Sequence, residues 1–560
     1  MDNPPLSLKL SSLCIISQCK LQRILSLCGD KKDLIIDSTL IKPLERVCGV
    51  NWLRLVVYIC FKLEFLNSAL ADLKCFHIII VPKVLTIYDS ILESKGLYGI
   101  VMLHTFTWEL MMLDDQLLSL ELPFLFKQLY VEQNHSLLSS VSMSLWSLFH
   151  VTGRPKVMFS VGKLAASVLD MLAVYNETYE RDFLHNGTSK EIGALIVIDR
   201  NQDYASSLLT PATYSGLLSE LFNINCGNLD LNVKETKLKK GQLDFGFDEK
   251  GSASKSTTIM LDSSIDTLYG EIKHRHFSEV LSVLSSKAKL LKNEDIKALG
   301  IQEIKNFVAT KLQQITLFKQ CLVNHVLACE TIISEMSNKY ENLKLAETEM
   351  LNNRNKKSNF QFVDENFSTD IHIYNSLRLM CLLSLTQSLS YDEYNTLVTK
   401  YLLAFGYKYL YIFNNLINAG LLLPSSPKLS LNISNFVGKS SPKILSKLSA
   451  ISDLRIGGKI LENLKDGMET LNEKLSNLNV QSDLEFGCKD VKTLARQLKT
   501  DPNLGNCIPL KPKSILVYII GGVNYAEIAA CDVVQTITGS KIYIASDCVH
   551  SGAEMIAATM

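Results

Sequence analysis

The sequence has no excess of either charge: 57 Lys and Arg face 57 Asp and Glu across 560 residues. A protein that neutralises nucleic-acid phosphates carries a basic excess or stripe. The one basic run here, Lys237 to Lys240, is soon followed by acidic residues and reads as a solvated loop. Nucleic acid is therefore not an expected partner. No run reaches the roughly 18 to 20 apolar residues that span a bilayer. The richest stretch, Leu97 to Met112, is broken by His104, Thr105, Thr107 and Glu109. The apolar stretch from Leu10 to Ile16 is short and lacks a small-residue cleavage site, so it does not read as a signal peptide. The 14 cysteines are scattered singly and make no disulfide framework, which suggests reduced, mostly buried thiols in the cytosol.

Catalytic and cofactor signatures are missing as well. Gly438-Lys439-Ser440 ends like a phosphate loop, but Ile433 stands where the motif needs glycine, and Gly162-Lys163 fails in the same way at Val157. Gly521-Gly522 follows a strand-like run and opens a helical one, with no lysine or third glycine at useful spacing, so it reads as a tight turn. Cys321, His325 and Cys329 share a helix face at steps of four. Zinc asks for four ligands, and apolar neighbours favour burial instead. Asp199 and Asp203 flank Arg200 at the end of a strand-like run, where α/β enzymes often place catalytic groups. A helix cap or an ion pair with Arg200 is the blander and favoured reading. No GxSxG or HExxH occurs. The expectation is a non-enzyme without cofactor or metal.

Present instead is a pattern of packed structure, with 47% hydrophobic residues. Near-continuous apolar runs occur at Leu34 to Asp37, Val56 to Cys60, His77 to Pro82, Ile100 to Phe106, Lys156 to Gly162 and Ala194 to Asp199. Their spacing leaves room for crossover helices, which predicts parallel α/β sheet. From about Asp262 to Leu423 the signal is helical, and strand-like runs return at Ile515 to Ile520 and Lys541 to Ser546. An α/β unit interrupted by helices and then resumed predicts a discontinuous domain, its last strand pair returning to the sheet that holds Ala194 to Asp199.

Residues 301 to 350 contain neither Gly nor Pro. Ile301, Ile304, Phe307, Val308, Leu312, Ile315, Leu322, Val326, Cys329 and Ile333 recur at helical steps. One stripe on one helix is predicted. At about 1.5 Å per residue its 33 residues reach roughly 50 Å, long enough for part of it to project as an arm.

Several blocks resemble a known family. Asp33 to Arg54, with Asp37 and Pro43, is similar to the opening of the vacuolar protein sorting 33 group. Leu113 to Pro123, with Glu121, resembles that group's LLSLELP signature. Ala194 to Leu218, with Asp199, Arg200 and Asp203, looks like the strand, Asp-Arg and Asp pattern of the Sec/Munc (SM) family. Ile265 to Val280, with His276 and Phe277, is similar to the entry into its helical domain. Ser376 to Thr386 and Asn414 to Leu422 resemble the group's B-type branch, and Ile519 to Ala530, with Gly521, Gly522 and Glu527, echoes the family ending.

The resemblance implies an arch-shaped SM fold: two parallel-sheet α/β domains, one discontinuous, and a large helical domain. The implied units are an N-terminal α/β domain (1–123), a first part of the central α/β domain (124–232), a helical domain (233–510, divergent from 430) and a central return (511–560). It also implies a regulator of SNARE-mediated docking and fusion in endosome-to-lysosome traffic. Its partners would be SNARE proteins and the C-terminal helical solenoid of a vacuolar protein sorting 16-like tethering subunit. The implied place is cytoplasmic, held peripherally on late endosomes and lysosomes through those partners. Ile301, Ile304, Phe307, Val308, Leu312 and Ile315 are the candidate groove residues, and the family-motif residues are expected to be mainly structural. The alternatives are a scaffold that does not template SNAREs and, least favoured, a nucleotide-binding α/β enzyme.

Overall fold

A computed structural model describes residues 6–28, 33–49, 58–60, 76–155, 157–178, 192–231, 257–293, 312–369, 373–425, 489–490 and 514–560. Its first part holds two parallel strand pairs. β1 (Asp33–Ile35) pairs with β2 (Tyr58–Cys60), and β3 (Phe76–Ile80) with β4 (Val101–Thr105). Ahead of them the Leu6–Leu27 helix buries Leu10, Leu13, Ser17, Leu21 and Leu25, a stripe at steps of three and four.

The central sheet has seven strands in the order β14-β7-β8-β15-β16-β6-β5. These are β5 (Met111–Asp114), β6 (Leu117–Ser119), β7 (Val157–Val161), β8 (Ala194–Asp199), β14 (Lys489–Asp490), β15 (Ser514–Ile520) and β16 (Lys541–Ser546). All neighbours are parallel except the β5–β6 hairpin. β15 lies between β8 and β16, with Ile515 opposite Ala194 and Ile520 opposite Asp199. A strand more than three hundred residues downstream thus completes the sheet begun by β8. The Lys163–Thr178 helix carries the chain from β7 to β8, and the Tyr525–Thr538 helix from β15 to β16, the crossover geometry that parallel strands require.

One expected boundary moves. The strand pair from Met111 to Ser119, placed by sequence in a first unit ending at residue 123, hydrogen-bonds to β16 and belongs to the central sheet. Asp114 and Asp115 interrupt the apolar run there, so the segment does not read as strand by pattern alone. A small antiparallel sheet, β9 (Ile224–Asn225), β10 (Asn228–Leu231) and β11 (Thr257–Met260), also went unforeseen.

Helices fill the interval. The longest, Leu312–Leu351, has 40 residues and spans about 60 Å. The expected start at residue 301 lies outside the described residues. The stripe needs one correction: Ile332 is buried, whereas Ile333 is 47% exposed. Both stand at permitted helical steps from Cys329, and packing selects the first. The Ile373–Gln387 helix is buried on every side from Ser376 to Ser384, as expected of a helix with neighbours all round. It packs on the Gly552–Ala557 helix, tying the helical part to the end of the central unit. Beyond it the Tyr391–Phe405 helix starts at a Ser390/Glu393 capping box. β12 (Leu389–Ser390) pairs with β13 (Pro424–Ser425) and closes this hairpin of helices.

Among the described residues, no helix is long and apolar enough to cross a membrane.

Asp547, just past β16, accepts the Tyr518 hydroxyl at 2.6 Å and the Gly521 N–H at 2.7 Å. Burial nonetheless pushes its carboxyl up to about 6. An unfolded Asp titrates near 4, so between these values the folded chain holds the extra proton. The resulting stabilisation is complete below the unfolded pKa and is lost as pH rises through the folded one. Relative to Asp547→Asn, the wild type should lose about 1–1.5 kcal/mol between pH 5 and pH 7.5. Paired urea unfolding curves at the two pH values check this.

Candidate functional site

In parallel α/β sheets ligands bind beyond the carboxyl ends of the strands, at a helix amino terminus beside a topological switch. β7, β8, β15 and β16 follow one another across the sheet in chain order, so no reversal falls between β8 and β15, and the chain's own side chains fill the space past their carboxyl ends. The Asp199 carboxylate accepts the N–H groups of Leu164 (2.9 Å) and Ala165 (2.6 Å) at the head of the Lys163–Thr178 helix. It occupies the spot a phosphate would take. Burial raises this carboxyl to about 6 even against those bonds. Gly162 has φ +115°, and a Cβ there would overlap the Asp199 carboxylate, so glycine is what lets the acid sit down.

Arg200 turns the other way. Its guanidinium, 4% exposed, meets Glu527 at 2.7 and 2.8 Å and also donates to the Gly522 and Asp203 carbonyls. Glu527 belongs to a capping box with Asn524 at the start of the Tyr525–Thr538 helix. Asp203 accepts the Ser206 N–H, capping the short turn that follows β8. The Tyr130 hydroxyl accepts the Arg200 N–H at 2.9 Å and donates to the Ile520 carbonyl at 2.7 Å. Gly521 and Gly522, at φ +104° and +99°, press against Tyr130 and His550, leaving no room for a Cβ at either. Arg200, Asp203, Gly522 and Glu527 thus meet in one polar knot, with Gly521 beside it and Asp199 turned to the neighbouring helix head.

The other motif residues stand apart. Asp37 is exposed and caps the 38–40 turn, and its Thr39 hydrogen bonds hold its carboxyl below the usual range. Pro43 is buried in the first turn of the Ile41–Cys48 helix. Glu121, at φ +51°, accepts the Cys226 N–H at 3.2 Å, and burial pushes its carboxyl up. The exposed His276 bonds Ser278 at the head of the Phe277–Asn293 helix, and the Phe277 N–H donates to the Ala212 carbonyl. Of the candidate groove, Ile301, Ile304, Phe307 and Val308 lie outside the described residues. Leu312 and Ile315 lie on the long helix, their side chains likewise outside.

The long helix leaves Leu317, Val323, Leu327 and Ile333 between 39% and 61% exposed. A second apolar cluster lies at the turn after the Tyr391–Phe405 helix. There Leu403, Tyr407, Leu410 and Tyr411 are all more than half exposed. Exposed apolar groups gathered this way mark interaction surfaces. Sequence reasoning missed this cluster, although an aromatic-rich turn, Gly406 to Tyr411, is its signal. Burial raises the Cys329, Cys381, Cys531 and Cys548 thiols, which keeps them protonated and unreactive. Among the described residues no three His, Cys, Asp or Glu gather to hold a metal ion.

Comparison with known proteins places this geometry. The profile of the Sec1 family matches residues 32–558. Human vacuolar protein sorting-associated protein 33B is 27% identical over 526 residues, covering 88% of this chain and 78% of the relative. The fruit-fly vacuolar protein sorting-associated protein 33A is 25% identical, covering 89% of each. Among solved structures, the Unc18–syntaxin 1 complex from Monosiga brevicollis superposes with TM-score 0.54 at 16% identity, covering 98% of both chains. Sly1p bound to an N-terminal peptide of Sed5p gives 0.53 at 16% identity, again with 98% coverage of both. At such identity the likeness is one of fold.

Removing one partner of a buried pair strands the other charge. Arg200→Ala should therefore lower the unfolding free energy by about 3–5 kcal/mol, and Glu527→Gln by about 1–3 kcal/mol. The double variant should cost less than their sum. Urea unfolding of the four proteins checks this, and a loss below about 1 kcal/mol for Arg200→Ala would contradict the structural role.

Proposed function

The chain belongs to the Sec1 family, and from that premise we propose that it regulates SNARE-mediated docking and fusion of vesicles in endosome-to-lysosome traffic. In this reading it holds the helices of other proteins and transforms no substrate. The observation that carries it is a contrast: the carboxyl ends of β8 and β15 are packed with the chain's own side chains, while the helical part presents apolar side chains to solvent. A partner helix is recognised through apolar contacts, and exposed apolar side chains are what the helical part offers.

The fold-alike proteins support the SNARE half of the proposal, since Unc18 was solved with syntaxin 1 and Vps45 with the Qa SNARE Tlg2. The names of the relatives, vacuolar protein sorting-associated proteins, support a role in vacuolar sorting, from which we take the endosome-to-lysosome step. We assign the SNARE groove to the stripe that begins in sequence at Ile301 and to the exposed face of the long helix that follows it. The Leu403, Tyr407, Leu410 and Tyr411 cluster is assigned to the solenoid of a vacuolar protein sorting 16-like, B-type tethering subunit. Recruitment to late endosome and lysosome membranes then runs through these partners. The domain limits at 232 and 510 belong to this reading too, with the helical domain inserted between the two halves of the central one.

The full-length chain should retain both a preassembled endosomal SNARE bundle and the solenoid partner in a pull-down. Tyr407→Ala with Leu410→Ala should weaken the solenoid contact at least tenfold and leave the SNARE contact unchanged. Absence of any SNARE retention by the wild type would sink the proposal. Retention without stimulation of liposome fusion would instead favour the scaffold reading.

A further inference from the structure

His325 lies in the long helix, fully buried, at the meeting of three elements. Its Nδ1 is 2.8 Å from the Tyr214 hydroxyl, and its Nε2 is 3.0 Å from Asp266 Oδ2. Tyr214 opens the Tyr214–Leu221 helix of the central unit, and its N–H donates to the Arg275 carbonyl. Asp266 caps the Thr267–Ile272 helix by accepting the Tyr269 N–H at 2.9 Å. The Tyr269 ring stacks on the imidazole at 6.2 Å, and the Tyr214 ring meets it edge-on. Burial works against the Asp266 charge, yet the bonds from His325 and Tyr269 hold this carboxyl below its usual value. A carboxylate can only accept, so Nε2 donates to it. In the neutral ring Nδ1 then accepts the tyrosine proton. The imidazole is bonded on both sides and stacked on a third.

About six turns further along, the helix is fastened again. Buried Glu347 accepts the Thr210 N–H (2.9 Å) and hydroxyl (2.7 Å), with Arg378 at 3.3 Å. Between the two fastenings Ala328, Cys329 and Ile332 are buried. Ahead of His325 the support narrows to one side, where Leu322 is buried and Phe318 packs against the core. Leu317 precedes Ala328 by three turns and lies on nearly the same side, yet Leu317 is 61% exposed and Ala328 0%. Lys319 and Gln320 are exposed as well.

We propose that His325 is a positioning residue, which sets the direction of the arm ahead of it through Tyr214 and Asp266. The arm from Leu312 to His325 is roughly 20 Å long, so a tilt of about 10° moves its tip by roughly 3–4 Å. That is enough to lose side-chain contacts that hold only within about 4.5 Å. The placement stands on the geometry, and only its consequence for SNARE binding rests on the function proposed above.

The test is a spectroscopic distance between nitroxide labels carried by non-natural amino acids at Lys319, on the arm, and Thr536, on the Tyr525–Thr538 helix. In the full chain, His325→Leu should at least double the width of the distance distribution. His325→Gln keeps a donor toward Asp266 and should restore a near wild-type width. Tyr214→Phe removes one bond with little change of shape and should fall between; if His325→Leu does not fold, it decides. His325→Leu should also bind a preassembled endosomal SNARE bundle at least fivefold more weakly, with the solenoid contact unchanged. An unbroadened distribution in folded His325→Leu or Tyr214→Phe overturns the proposal. A wild type that binds no SNARE bundle overturns the function alone, because the distance measurement involves no partner.

Discussion

The Arg200–Glu527 pair is the constraint on which the rest depends. One partner follows β8 and the other opens the helix after β15, with the whole helical part between them in the chain. Strand pairing alone brings the two halves of the sheet side by side, and the pair closes the end where the chain leaves and returns. Burying a guanidinium is costly unless its donors are satisfied. Glu527 and the carbonyls of Gly522 and Asp203 take the terminal N–H groups from both sides of the joint, while the Nε–H stays buried without an acceptor. The knot therefore favours one seating of the returning strand. Aliphatic packing of comparable area would tolerate several.

The same knot decides what the sheet can be used for. The helix head at Leu164 and Ala165 spends its N–H groups on Asp199, and Gly521 and Gly522 are pressed on Tyr130 and His550 so closely that neither admits a Cβ. The carboxyl ends of β8 and β15 have become a structural joint. Large apolar side chains meet solvent on the outer surface of the helical part, and others, Ile87 and Tyr98 among them, do so on the first part.

Much of this fold was legible because strands buried on both faces write themselves as unbroken apolar runs. Ala194 to Asp199 and Lys541 to Ser546 were found end to end, and the return of the last pair to the β8 sheet followed from their order. The pattern failed where polar residues sit inside structure. Asp114 hides the β5–β6 hairpin because its charge is answered by Lys273 at 2.6 Å, a residue far along the chain. His325 read correctly as a buried side chain, but its partners lie 59 and 111 residues away, and no local spacing points to them. Ile332 and Ile333 are equivalent to helical periodicity, and only packing separates them. The exposed clusters were illegible for a deeper reason: an apolar stripe looks the same whether its own chain covers it or another protein does.

That last ambiguity bears on how a protein that holds partner helices, the role proposed here, must be built. A surface meant for a partner has to stay uncovered, so contacts made by that surface cannot also be what orients it. Orientation must come from interactions placed behind the surface and satisfied without the partner. The long helix is arranged in this way, with hydrogen-bonded fastenings at His325 and Glu347 and apolar side chains left free on its outer face. Hydrogen bonds fix direction where dispersion contacts only fix proximity. The polar groups that a sequence reading sets aside as merely buried are therefore the ones that determine where the exposed helix points.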